Sequence, residues 1–208
     1  MTYLITTRSV NDELYNMASS FWGEAPRKRF TGYNHYKDSL KYLFDILHEP
    51  YDYIINIDED CFVYDFERMI FLLEAMEETN ATHCGMPDSL EWCSHRNNSR
   101  FVHNPFFNIF NRKKVSELLL SATPYTTYTI ENDLEVDGCN FHEPFNVFFA
   151  AIKKGNRIEI DAKQHADGIS TILNDFALHS WYSREFNGEH KQRILNIYNE
   201  ANNLRSVS

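Results

Sequence analysis

Tyr53-Ile54-Ile55-Asn56-Ile57-Asp58-Glu59-Asp60 is the stretch whose reading decides the fold. The run from Tyr53 to Ile57 is β-branched and aromatic with little alternation, the mark of a strand buried on both faces. Three acidic residues follow at once, so the chain leaves the sheet there. In open α/β sheets the carboxyl ends of the strands are where ligands bind, because loops diverge there and helix N-termini face the crevice.

Working outward, Asp65 is placed to cap a helix that turns Phe66, Met69, Ile70, Leu73 and Met76 inward. On the other side, Leu40, Leu43, Phe44 and Leu47 recur at i, i+3, i+4 and i+7 until Pro50 stops the helix. Tyr3 to Thr6 reads as a first strand, and Asn11 or Asp12 caps a helix carrying Leu14, Met17, Ala18 and Phe21. Beyond the centre, Thr82 to Met86 and Phe106 to Phe110 read as strands, followed by a helix from Lys113 to Leu120 behind an Asn111 cap. Pro124 to Asn140 is polar and without period, a long loop. Glu143-Pro144 opens a helix with Phe145, Phe148, Phe149 and Ile152 on one side, ended by Gly155. Arg157 to Asp161 returns as a strand, and Lys191 to Leu204 form a last helix. The expectation is an α/β fold: one domain over residues 1–208, with a mixed, mostly parallel central sheet flanked by helices.

The totals agree. A chain of 208 residues, 43% hydrophobic and 15% aromatic, can bury a core without disulfides. Mean hydropathy of -0.50 and the lack of a long apolar run argue against a membrane span. A formal charge of -10 repels polyanions, which makes nucleic acid an unlikely partner. Arg27-Lys28-Arg29 is too short a basic run to override that field and reads as a solvated loop. Cys61, Cys84, Cys93 and Cys139 contain no CxxC pair, and nothing after Met1 resembles a signal peptide, so a reducing cytoplasmic setting is expected. The sequons at Asn80 and Asn97 are then chance matches.

Asp58 and Asp60 are spaced to share a face at a strand end, where both carboxylates can converge on one hard divalent cation. An acidic triplet on a solvated turn is the plain alternative. The strand with its Asp-Glu-Asp ending resembles the Asp-x-Asp motif of the GT-A glycosyltransferases. Further landmarks follow in that family's order: Asp137-Gly138-Cys139-Asn140 as a glycine-bearing acceptor loop, His142-Glu143-Pro144 as an acidic helix start, and a late His179.

The resemblance, spanning residues 3 to 184, implies a metal-dependent transfer of sugar from a nucleotide-sugar donor, UDP-linked by family weight, to a saccharide or other acceptor. It implies Mn2+, or Mg2+, held by Asp58, Asp60 and His179, with Thr6, Thr7, Arg8, Glu59 and Arg184 at the nucleotide sugar. Gly138 and Trp181 fall on the acceptor side. Pro144 stands where the family motif has its aspartate, so either Glu143 takes the base's place or the motif is absent. Without the resemblance, His179 reads as a packed histidine beside Trp181, and Glu143 as an acid favoured by the helix macrodipole. Two other functions fit the same residues. One is a metal-dependent phosphoesterase using Asp58, Asp60, Asp133 and Asp137. The other is a non-catalytic carbohydrate-binding α/β module.

Overall fold

The computed structural model describes residues 1–35, 37–88, 102–121, 135–136, 139–140 and 143–206. The first half of the chain runs β1 (Tyr3–Arg8), α1 (Asp12–Ser19), β2 (Arg27–Phe30), α2 (Asp38–Ile46), β3 (Tyr53–Ile57), β4 (Cys61–Val63) and α3 (Phe66–Glu78). It continues through β5 (His83–Pro87), β6 (His103–Asn111), α4 (Arg112–Ser121) and the two-residue strands β7 (Glu135–Val136) and β8 (Cys139–Asn140). The last part holds α5 (Asn146–Ile152), β9 (Arg157–Glu159), β10 (Ala162–Gln164), β11 (Thr171–Leu173), β12 (Ala177–His179) and α6 (Gly188–Arg205).

The central sheet has six strands in the order β2-β1-β3-β6-β5-β9. β1 is parallel to β2 and β3, and β5 to β9, while β6 runs against both its neighbours. The expected mixed, mostly parallel sheet is therefore present. β3 lies between β1 and β6 with every residue from Tyr53 to Ile57 buried, which is why its sequence does not alternate. Its period of two still shows in where the side chains go. Tyr53, Ile55 and Ile57 join a core with Leu14, Met69, Leu73, Ile194 and Ile197, from α1, α3 and α6. Ile54 joins a second core with Leu43, Ile46, Val115, Phe148 and Phe149, from α2, α4 and α5. Helices thus cover both faces, each buried Ile or Leu contributing roughly 1.5–3 kcal/mol. Asn56, alone polar in the strand and fully buried, is satisfied: its Oδ1 accepts from the Tyr42 hydroxyl at 2.5 Å and its Nδ2 donates to the Pro105 carbonyl.

The expected caps form. Asn11 Oδ1 accepts from the amides of Glu13 and Leu14, Asp65 Oδ1 from Arg68, and Asn111 Oδ1 from Lys114. Two expectations are corrected, and a second sheet is added. Arg27-Lys28-Arg29 is an edge strand, not a loop. It pairs in parallel with β1, while Lys28 meets Glu49 at 2.6 Å and Arg29 meets Asp12 at 2.5 Å. Charge on an edge strand also discourages the addition of a further chain. Glu143 and Pro144 precede a helix that begins only at Asn146, whose amide donates to the Glu143 carbonyl at 3.0 Å. Finally, β10, β11, β12 and β4 form a second, antiparallel sheet, in strands too short for alternation to announce them.

This second sheet positions the candidate site. It sets His179 opposite Cys61, so the far end of the chain lies beside the acidic triplet. Most of Pro124–Asn140 lies outside the described residues. Among those described, no helix is long and apolar enough to cross a membrane.

Candidate active site at the carboxyl end of the central strand

The triplet makes a tight turn from β3 into β4. The Asp58 amide donates to the Phe106 carbonyl at 2.8 Å, and the Cys61 amide donates back to the Asp58 carbonyl at 3.0 Å. Ser180, one residue beyond β12, joins the turn, its amide donating to the Asp60 carbonyl at 3.1 Å. These bonds carry the imidazole of His179 to the Asp60 carboxylate, Nε2 to Oδ1 at 3.3 Å, both side chains almost wholly buried. The ring is fixed by stacking on Phe106, centroids 4.0 Å apart and planes within 6°, with Trp181 at 4.5 Å on another side. His179 Nδ1 is buried and has no hydrogen-bond partner.

Burial alone would raise the Asp60 carboxyl. The charge and hydrogen bond of His179, with its own amide and the Ser183 hydroxyl, outweigh that and hold it below the usual carboxylate range. Asp58 is pushed the other way: burial raises it, Arg8 opposes, and the neighbouring Asp60 raises it again. Two carboxylates so placed resist being charged together unless a cation joins them.

Asp58, Asp60 and His179 line a cleft of about 320 Å3 together with Arg8, Glu143 and Arg184, a volume within the range of small-ligand sites. Trp181 and Tyr182 line it too. Arg8 leaves the end of β1 with its Nη1 buried and unpartnered. Burial and then Arg8 lower the Arg184 guanidinium, against the pull of Asp58, Glu143 and Asp60. With Glu185 also on its wall, the cleft sets two guanidinium groups among four carboxylates and an imidazole.

Several expected residues lie elsewhere. Thr6 and Thr7 are fully buried within β1 and do not line the cleft. Gly138 is outside the described residues, as are His142 and Asp137. Glu59 turns away from the cleft toward the β1–α1 loop. Its Oε2 accepts from the Ser9 hydroxyl at 2.6 Å and from the amides of Val10 and Asn11 at 3.1 Å each. The middle residue of the triplet therefore ties the loop after Arg8 to the acidic turn. Phe106 and Ser183, which shape the site, had no signal in the sequence: one is an apolar strand residue among many, the other an ordinary serine.

Burial, aided by Asp60, pushes the Glu59 carboxyl up to about 7 in spite of those three donors. In the folded chain it thus keeps its proton between the unfolded value of 4.5 and about 7. Its stability contribution is complete below the unfolded value and is lost as pH rises through the folded one. Glu59→Gln stays neutral and keeps an acceptor oxygen, so its melting temperature is expected to gain on the native chain between about pH 5 and about pH 8. Parallel melting curves for the two proteins across that interval would show instead that Glu59 is ionised throughout.

Among the described residues no three His, Cys, Asp or Glu side chains gather closely enough to hold a metal ion by themselves. Of the expected trio, Asp60 and His179 form a close pair, and Asp58 lies on the same cleft wall. Carboxylate with imidazole is a donor set that suits Mn2+, and His179 Nδ1 remains to be satisfied.

No protein-family model matches the chain, and no curated protein matches it. Among solved structures it is similar to A197 from STIV, 12% identical over 86% of this chain and 93% of that one, with a TM-score of 0.45. It is also similar to a glycosyltransferase involved in the glycosylation of the major capsid of PBCV-1, 9% identical over 95% and 98%, with a TM-score of 0.44. At these scores neither likeness bears on function, which rests on the cleft.

Proposed function

We propose that the protein is a glycosyltransferase of the GT-A, Asp-x-Asp kind, moving a sugar from a nucleotide-sugar donor to a hydroxyl of a saccharide or other acceptor. The observation that carries this reading is the buried Asp60–His179 pair, at the carboxyl edge of the central sheet, in one cleft with Asp58, Arg8, Arg184 and Glu143. Asp60 and His179 would hold Mn2+, or Mg2+, and Asp58 would face the ribose or the outer side of the ion. Two protein ligands suffice for a cation that also takes oxygens from a substrate diphosphate, which is how such ions are commonly bound. When bound, the ion supplies Lewis-acid stabilisation of the leaving phosphates.

The chain's own groups account for the rest. Arg8 and Arg184 offer charged donors to the diphosphate, matching its growing negative charge as the bond from the anomeric carbon to the phosphate oxygen breaks. The electron pair leaves with the nucleoside diphosphate, and the acceptor oxygen forms the new bond to the anomeric carbon. In an inverting displacement Glu143 takes the acceptor's proton. In a retaining one the departing phosphate oxygen takes that proton, and Glu143 grips the acceptor sugar. UDP-sugars are the first donors to try.

The direct test is slow donor hydrolysis followed by phosphorus NMR, with Mn2+ and a series of nucleotide sugars. Release of nucleoside diphosphate from one of them, dependent on metal, is expected. Cleavage of a generic phosphodiester, with every nucleotide sugar left intact, would put the phosphoesterase in its place.

A further inference from the structure

Trp181 and Tyr182, side by side on the cleft wall, both have left-handed backbone, with φ of 59° and 61°. Neither is glycine, and large side chains are rarely found there. Such a conformation persists only where its surroundings impose it, and it collects at functional sites. Here the imposing group comes from α6. Arg193 donates from Nε and Nη2 to the Ser180 carbonyl, at 3.2 and 3.0 Å, and from Nη2 to the Trp181 carbonyl at 2.8 Å. Its Nη1 is 2.9 Å from His190 Nδ1, and its guanidinium lies 5.7 Å from the Tyr182 ring, which also packs on His190.

Ser180, gripped on one side by Arg193, is bound on the other to the acidic turn, through its amide and the Asp60 carbonyl. His179 precedes it in contact with Asp60, and Ser183 and Arg184 lie beyond it on the cleft wall. We propose that Arg193 is a positioning residue of the cleft. Its planar fork holds the left-handed turn at 181–182, and that turn aims Trp181, Tyr182, Ser183 and Arg184 into the site. The shape of the cleft is independent of the transfer reading; what the cleft binds rests on it.

The fork is what a lysine lacks, since one ammonium cannot reproduce a rigid multi-donor plane. The test compares Arg193→Met and Arg193→Lys with Lys191→Met, which removes a charge from the same stretch of α6. Amide hydrogen exchange of the unliganded proteins is the first readout. In Arg193→Met, exchange over 180–185 should quicken by roughly tenfold or more, with β1 and β3 unchanged. Arg193→Lys should fall between, and Lys191→Met should match the native chain. The second readout is Mn2+-dependent affinity for UDP, expected to fall about tenfold in Arg193→Met. Unchanged exchange over 180–185 in a folded Arg193→Met protein overturns the proposal, as does faster exchange with full UDP affinity. If the native chain binds no nucleotide, the transfer reading fails, and the exchange result alone decides on Arg193. Should Arg193→Met not fold, the same comparison is made on Arg193→Lys.

Discussion

Asp60→Asn is expected to lower sugar transfer by about a thousandfold and to abolish the Mn2+ dependence of nucleotide binding. Removing one preorganised electrostatic group from a leaving-group site commonly costs about 10²–10³ in rate, and here the change also removes the charge that would hold the cation. Asparagine keeps the shape of the side chain, so its contact with His179 and the stacking of His179 on Phe106 survive. Breaking a buried pair by removing one partner costs up to about 3–5 kcal/mol. That figure is an upper bound here, because the asparagine amide keeps a hydrogen-bonding group beside the imidazole. The variant should therefore melt lower than the native chain and still fold. Titration calorimetry of UDP, with and without Mn2+, on both proteins separates the two effects. An Asp60→Asn protein whose UDP affinity still rises with Mn2+ as in the native chain would remove Asp60 from the metal site.

Glu143→Gln is expected to leave that binding intact and to reduce turnover by about 10²–10⁴, the range for loss of a general base. Glu143 lines the cleft with Asp58 and Asp60 and acts on Arg184 through its charge. Its removal therefore changes one wall of the cleft and leaves the Asp60–His179 pair in place. The division of the loss between kcat and KM carries the information. A fall in kcat with KM held indicates proton transfer in an inverting displacement. A rise in the acceptor's KM with kcat held indicates that Glu143 grips the acceptor, as a retaining enzyme would have it. Equal activity of the Gln variant and the native chain in both parameters removes Glu143 from the site.

How much of the fold and the site was legible in the sequence depends on the length of each signal. β3 could be read because a strand buried on both faces is a continuous apolar run, and α1, α3 and α4 because Asn11, Asp65 and Asn111 cap them as their side chains dictate. Arg27-Lys28-Arg29 misled because charge suggests solvent, while an edge strand needs only backbone pairing on one side. The helix start at Glu143-Pro144 misled because proline suits a first helical turn and a turn just before it equally well. β10, β11, β12 and β4 are three residues each, shorter than any window in which alternation shows. Since β12 pairing with β4 is what brings His179 to Asp60, the geometry of the candidate site was hidden even where its members had been picked out. The family resemblance puts Glu59 at the nucleotide sugar, whereas its carboxyl group holds the loop after β1. Arg193 had no signal, because an arginine on a helix surface looks the same whether it meets water or main-chain carbonyls.

The most direct measurement is a thermal-shift series of the native chain with UDP, GDP, CMP and common nucleotide sugars, each with and without Mn2+. A ligand that binds only the folded state stabilises it by about 2.7 kcal/mol when present at about a hundred times its dissociation constant. For a chain of this size that corresponds to a rise of about 5–10 °C. A cleft that holds a diphosphate through a cation should give such a rise with one nucleotide class, UDP first among them, in the presence of Mn2+ and much less without it. A well-folded protein whose melting temperature moves with none of these ligands, or moves equally with and without Mn2+, contradicts that assignment.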